Sequence, residues 1–100
     1  MSNPSPIRYD SHCVHVSGEL TIYTCGQLKP LLLDELAAHP DAIRLDLSQV
    51  VELDTAGLQL LITARRFATE AGRELRIEQP SQVVADVLEL CRLDTQWGLK

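Results

Sequence analysis

From Ile7 onward, the chain contains segments in which every second residue is apolar. Ile7 and Tyr9 alternate with polar residues, and Val14 and Val16 repeat the pattern after a polar turn at positions 10–11. A period of two is typical of strands that bury one face. The start of the chain is therefore predicted to form two short strands joined by a turn.

The spacing of apolar residues then lengthens to that of a helix. Leu28, Leu32 and Leu36 recur at every fourth position, and Thr24 is a residue type that caps helix N-termini. Pro30 either kinks this helix or marks a late start. A helix is predicted that ends before Pro40.

Alternation returns at residues 42–47 and continues to Leu53, which predicts another strand. A helical stripe follows and is closed by Gly72 as C-cap, after which Leu75 and Ile77 predict a short strand. Pro80 and Ser81 would open a last helix, in which one face is shared by Val84, Val87, Leu88 and Cys91. The predicted helices cover residues 24–38, 56–71 and 81–92.

The order of elements, two strands and then helices alternating with strands, predicts the architecture. Strands separated by helices pair in parallel through right-handed crossovers. We expect one α/β domain over residues 7–100, with a mixed sheet of four to five strands covered mainly on one face by three to four helices. Residues 1–6 are rich in Ser and Pro and are expected to be a disordered terminus.

Composition and charge narrow the possible partners. The chain has 100 residues, of which 45% are hydrophobic, and a formal net charge of -5. That charge argues against binding to nucleic acid or to an anionic membrane surface. No apolar run approaches the length of a membrane helix, and residues 1–6 carry no secretory signal. We expect a cytoplasmic protein without direct membrane insertion, either a monomer or a weak dimer.

Few residues carry catalytic or metal-binding chemistry. Cys13, Cys25 and Cys91 show no metal-type spacing and are expected to be plain core or half-buried thiols. His12 and His15 point to opposite faces of a strand and cannot share an ion. No cofactor, metal site or catalytic residue is predicted, and we expect a protein that is not an enzyme.

Three further features have open interpretations. His39 is expected to complement the dipole at a helix end. The arginines Arg65, Arg66 and Arg73 form either a solvated face or the flank of a partner groove. Trp97 is expected to pack back on the core, although an exposed Trp97 would suit an interface.

The junction between residues 53 and 58 is the most informative segment. Thr55 lies where a strand becomes a helix, so a phosphate on its hydroxyl would face the unpaired N–H groups and the positive dipole of the first turn. Asp54 or Thr55 has a simpler interpretation as an N-cap, and Gly57 as a turn residue. Local physics alone favours capping.

The residues around this junction resemble the signature of STAS domains, found in sulfate-transporter tails and in bacterial anti-sigma-factor antagonists. The family pattern D-[ST]-x-G-L after L-D-L-S-x-V matches LDLSQV, a three-residue spacer and DTAGLQLL here. SGEL at residues 17–20 and GREL at 72–75 extend the resemblance over roughly residues 7–97.

The resemblance implies a phosphoacceptor at Thr55, a neighbouring acid at Asp54 and a tight-turn glycine at Gly57. It also implies that an anti-sigma factor kinase phosphorylates the acceptor to prevent binding and that a phosphatase restores it. The implied partner-binding residues are Asp54, Thr55, Ala56, Gly57 and Leu58.

One position departs from the family pattern. Kinase-regulated antagonists often have an acid after G-E-L, where this chain has Thr21. A STAS protein that works by docking alone therefore stays open. The chain is also similar to the small STAS subunit of the bacterial phospholipid-transport ATPase complex, whose partner would be a transporter ATPase subunit. Single-domain STAS scaffolds beside chemotaxis kinases are a further alternative.

Overall fold

The computed structural model describes residues 5–93 and residue 97. Of the terminus expected over residues 1–6, positions 1–4 lie outside the described residues, and the Pro6 carbonyl accepts the Ser17 N–H over 2.9 Å. Strands and helices follow one another in the predicted order. They are β1 (Ile7–Asp10), β2 (Cys13–Leu20), α1 (Cys25–Ala38), β3 (Arg44–Leu53), α2 (Thr55–Glu70), β4 (Arg76–Pro80) and α3 (Gln82–Leu90).

The strands form one mixed sheet in the order β1-β2-β3-β4. β1 and β2 are an antiparallel hairpin, whereas β2–β3 and β3–β4 pair in parallel. Ser11 and His12 connect the hairpin with positive φ angles of 53° and 66°, as a tight two-residue turn requires. A mixed sheet with three helices confirms the predicted fold class.

The core lies on one face of the sheet. Val14 and Val16 of β2, and Leu45 and Leu47 of β3, are buried against apolar side chains of the helices. The residues between them, His15 in β2 and Asp46 in β3, are polar and half-buried, which is the alternation that the sequence predicted. The helical part of the core consists of Leu28, Leu32, Leu36, Leu60, Leu61, Ala64, Ala68, Val84 and Leu88.

Two irregularities in β3 change its register against β2. His15 is paired with Asp46, but Ser17 is paired with Gln49, so β3 contains one more residue than β2 between these pairs. A second shift follows between Gly18 and Glu19. Such bulges re-aim side chains, and here they occur along the two central strands.

The ends of α2 and α3 share one geometry. Gly72 follows α2 with a φ of 78°, and the Arg73 N–H donates to the Ala68 carbonyl over 2.8 Å. After α3, Arg92 adopts a φ of 57°, and the Leu93 N–H donates to a carbonyl of the last helical turn. Both are Schellman-type ends, which place one residue in the left-handed region. Only the first has the glycine that this region favours.

Replacing Arg92 with glycine is therefore expected to stabilise the domain. Arg92→Gly removes the left-handed strain of a residue with a Cβ, although it adds freedom to the unfolded chain, so we expect a net gain of about 0.5 kcal/mol. Urea unfolding measures the change. Gly72→Ala is the matched control at the equivalent position of α2 and should lower stability by about 1 kcal/mol. A less stable Arg92→Gly would contradict this account of the α3 end.

Most predicted boundaries agree with the structure within two residues, and the exceptions have local causes. The late start for α1 is wrong, because the helix already begins at Cys25 and contains Pro30. Thr24 does occupy the N-cap position, but its hydroxyl donates to the Glu19 carbonyl instead of capping the helix. Pro80 ends β4 rather than opening α3, whose cap is Ser81.

Side-chain predictions near the helix ends have mixed outcomes. A solvated Arg73 is wrong, because its guanidinium donates to the carbonyls of Leu36, His39 and Ala42, where α1 ends. A buried Cys91 is also wrong, since α3 ends one residue earlier and the thiol is exposed. The packing of Trp97 on the core is confirmed, with the residue only 2% exposed.

Candidate functional site

Asp54 forms the junction between β3 and α2. Its backbone is extended, with φ -113° and ψ -170°, and its Oδ1 accepts the Gly57 N–H over 3.0 Å. Its carbonyl accepts the Leu58 N–H over 2.9 Å. Asp54 is thus the N-cap and Thr55 is the first helical residue, which decides between the two capping candidates.

The second carboxylate oxygen of Asp54 reaches a different part of the chain. Oδ2 accepts the Ile22 N–H over 2.9 Å, and the Asp54 N–H donates to the Leu20 carbonyl over 3.2 Å. The N–H groups of Gly57 and Ile22 hold the pKa of Asp54 below its usual range. An ionised Asp54 therefore ties the segment after β2 to the start of α2.

Gly57 allows these two elements to approach closely. It is buried, and a Cβ at this position would lie 2.1 Å from the Leu20 carbonyl oxygen and 2.6 Å from Cδ1 of Leu53. Its neighbours Ala56 and Leu58 are half-buried, and Leu58 packs against the core. Gly57 is thus required by a close approach of α2 to β2 rather than by a turn with positive φ.

Thr55 is exposed, and its side chain makes no hydrogen bond to any residue that the structure describes. The hydroxyl is open to solvent and to other proteins. However, one of the first-turn N–H groups that could face a phosphate, that of Gly57, already donates to Asp54. A phosphate on Thr55 would instead meet the neighbouring ionised carboxylate of Asp54.

Two large apolar side chains beside this junction are exposed. Ile22 is 70% exposed and Tyr23 is 90% exposed, and the backbone of Ile22 is bonded to Asp54. We call the surface formed by Ile22, Tyr23, Asp54, Thr55 and Leu58 the Thr55 surface. Sequence reasoning missed Ile22 and Tyr23 as surface residues, although the loss of alternation after β2 was a signal.

Thr21, the position that departs from the family pattern, lies just behind this surface. It is buried, and its hydroxyl accepts the Tyr23 N–H over 3.3 Å. Its carbonyl accepts the N–H groups of Thr24 and Cys25. Thr21 therefore shapes the turn that presents Ile22 and Tyr23, and a partner would not touch its side chain.

Acidic residues border the Thr55 surface. Glu19 and Glu52 are register partners at the ends of β2 and β3. A hydrogen bond that the protonated Glu52 carboxyl donates to Glu19, together with the repulsion between the two carboxylates, raises the pKa of Glu52, and Asp54 adds to the repulsion. This end of the domain is negatively charged, so a partner that covers it is expected to supply cations.

The histidines do not contribute to the junction, and His12 and His39 both contact Tyr9. His12 Nδ1 is 2.8 Å from Asp41 Oδ2, and His15 Nδ1 is 2.9 Å from Asp46 Oδ2. His39 stacks on the ring of Tyr9 at the C-terminal end of α1. Among the described residues, no three His, Cys, Asp or Glu side chains are grouped so that they could hold a metal ion.

None of the helices in the described part of the chain combines the length and the apolar character needed to cross a bilayer.

Comparison with known proteins connects this geometry to a family. A family model described as Mlab, STAS domain matches residues 7–99. A candidate anti-sigma factor antagonist from Thermotoga maritima is 25% identical, with a TM-score of 0.74 over 90% of this chain and 80% of that one. An anti-sigma factor antagonist from Mycobacterium paratuberculosis is 22% identical, with a TM-score of 0.76 over 91% of this chain and 79% of that one.

A third solved structure shares the fold at lower identity. SpoIIAA, a cell fate determinant of Bacillus, is 14% identical in its phosphorylated form, with a TM-score of 0.63 over 91% of this chain and 85% of that one. The match to the family model covers nearly all of the described sheet and helices, together with the junction at Asp54 and Thr55. The chain therefore belongs to the STAS domain family.

Proposed function

We propose that this domain is a partner-switch protein of the anti-sigma-factor antagonist type, which binds a protein partner through the Thr55 surface. The observation that carries the proposal is the exposure of Ile22 and Tyr23 directly beside the exposed Thr55. Large apolar side chains that stay exposed next to each other mark interaction sites, and tyrosine is enriched in binding hot spots.

The partner is an anti-sigma factor, of the kinase type that the family resemblance implies. The antagonist from Thermotoga maritima, at 25% identity over most of both chains, supports this class of partner. The acidic residues around the Thr55 surface favour a partner face that carries Lys or Arg around an apolar centre.

Phosphorylation of Thr55 is the regulatory step in this proposal. Thr55 is exposed and follows Asp54, to which the exposed Ile22 is bonded, so a phosphate would add about two negative charges within the contact. SpoIIAA, which shares the fold, has a phosphorylated form. The phosphate would disrupt docking through repulsion and desolvation, without a need to unfold α2.

In this proposal, the Thr55 surface binds a partner and does not catalyse a reaction. Both carboxylate oxygens of Asp54 accept backbone N–H groups, so Asp54 serves as a cap and is poorly placed to act as a base for Thr55. Burial and the nearby charge of Asp54 raise the pKa of the Cys25 thiol, which makes it a poor nucleophile.

Capture of partners from the native cytosol, followed by titration of the purified partner, tests the proposal. We expect to recover an anti-sigma factor with a kinase fold. Tyr23→Ser should weaken its binding by about tenfold or more, since a tyrosine hot spot contributes about 2 kcal/mol. Leu90→Ser is the matched control, because Leu90 is 83% exposed at the end of α3. Equal losses for both variants would contradict docking at the Thr55 surface.

A second candidate is the STAS subunit of a phospholipid-transport ATPase complex. The observation in its favour is the description of the matching family model, Mlab, STAS domain. The same capture distinguishes the two candidates. Recovery of a transporter ATPase subunit, with no kinase-fold protein, would replace the first candidate by the second.

A further inference from the structure

One face of the central strands is polar and open. Parallel sheets usually have both faces covered, yet the described helices share their core with only one face here. On the opposite face, β2 contributes His15 and Ser17 and β3 contributes Asp46 and Ser48, all half-buried. These central positions contribute no apolar packing, so their polar character needs another explanation.

These residues line a depression on the open face, away from the Thr55 surface. Its volume is about 490 Å³, which is within the usual range for small-molecule sites. Three neighbouring strands contribute to it. Ser5, which precedes β1 in the sequence, also lines it, and the polar residues of the strands that line it are Arg8, His15, Ser17, Asp46, Ser48 and Gln49.

Asp46 fixes the orientation of His15. Its Oδ2 lies 2.9 Å from His15 Nδ1, and its Oδ1 accepts the Ser48 N–H over 2.9 Å. Desolvation opposes the charge of Asp46, but the bonds from Ser48 and His15 outweigh it and lower its pKa. With Nδ1 committed to Asp46, Nε2 is the nitrogen left without a partner among the described residues.

The charge that faces His15 from β1 is Arg8. The two residues are directly opposite in the hairpin register, so their side chains leave the same face of the sheet. Among residues 5–93, the charged partner of Arg8 is Asp10, and this contact of 3.8 Å between two well-exposed side chains holds Arg8 weakly. The first of the two β3 irregularities lies next to His15, between the register pairs His15–Asp46 and Ser17–Gln49.

We propose that this depression binds the phosphate group of a small ligand. The donors are the Arg8 guanidinium, Nε2 of a protonated His15 and the Ser17 hydroxyl, while Asp46 balances the imidazolium charge. Donors from two neighbouring strands that line the same depression suit a phosphate oxyanion. Besides His15, the charged groups that line the depression are Arg8 and Asp46.

A titration of the ¹⁵N-labelled full chain with inorganic phosphate, followed by NMR, tests the site. We expect saturable shifts of the Ser17, Ser48 and Gln49 amides. Arg8→Gln should weaken binding by about tenfold or more, as expected for a lost charge-assisted hydrogen bond. Arg66→Gln changes the net charge equally but lies on α2, outside the depression, and should bind like the unmodified chain.

Substitutions at His15 separate the ligand contact from the structural contact. An asparagine amide can replace Nδ1 and keep the bond to Asp46, so His15→Asn should stay folded and lose phosphate binding. His15→Gln places an amide near the Nε2 position and should retain part of the affinity. Unchanged binding by Arg8→Gln and His15→Asn, or shifts of equal size with acetate at the same ionic strength, would overturn the proposal.

Discussion

Gly57→Ala is expected to destabilise the domain by about 3 kcal/mol, at the upper end of the usual cost of overpacking a well-packed site. The added Cβ would lie 2.1 Å from the Leu20 carbonyl oxygen. That oxygen belongs to the backbone and accepts the Asp54 N–H, so it cannot move away without breaking the contact between β2 and the start of α2. Urea unfolding measures the loss.

The matched control for this substitution is Gly26→Ala. Gly26 is also a helical glycine, in the first turn of α1, but an added Cβ there meets nothing within 4 Å. We expect it to stabilise the domain by about 0.5–1 kcal/mol, because alanine is the better helix former. If Gly57→Ala were tolerated as well as Gly26→Ala, α2 could not be held against β2 as described.

Thr55→Glu is expected to weaken partner binding by about tenfold to a thousandfold, because a charge without a matching cation in an interface costs several kcal/mol. Thr55 is exposed and follows Asp54, whose carboxylate is bonded to the backbone of the exposed Ile22, so a partner on this surface is expected to cover it. Phosphorylated protein should lose at least as much affinity, since phosphate carries more charge than glutamate. Calorimetric titration of the purified partner measures both.

Two further variants separate this switch from a role in folding. Thr69→Glu adds the same charge at an exposed position near the other end of α2 and should leave binding unchanged. Thr55→Ala should also bind normally, because Asp54 rather than Thr55 caps the helix. If Thr55→Glu binds as tightly as Thr55→Ala, and Thr55 is unmodified in cells, the regulatory part of the proposal fails and docking alone is left.

The binding and phosphate-site predictions can fail independently. The Thr55 surface lies where β2 and β3 end, whereas His15 and Arg8 face each other in the β1–β2 hairpin. Loss of partner binding in Tyr23→Ser would not alter the response of Ser17 to phosphate. A negative result at one of the two surfaces would therefore not contradict the proposal for the other.

The order of elements could be read from the sequence because it depends on local periodicity. Alternation at Val14 and Val16, and fourfold spacing at Leu28, Leu32 and Leu36, each reflect the face that an element buries. Asp54, Thr55 and Gly57 were also found locally, since a strand that becomes a helix needs a cap. The motif around them identified the family without coordinates.

The sequence by itself thus determined the helices, the strands and the position of the junction. Only the tertiary structure decided what the junction presents, because exposure depends on packing between distant segments. The bond from Ile22 to Asp54 joins residues 32 positions apart and leaves Ile22 and Tyr23 exposed. The same holds for Arg73, which reaches the end of α1, and for the pairing of His15 with Asp46 across two strands. The local periodicity of the sequence cannot predict such contacts, because they form only when folding brings distant segments together.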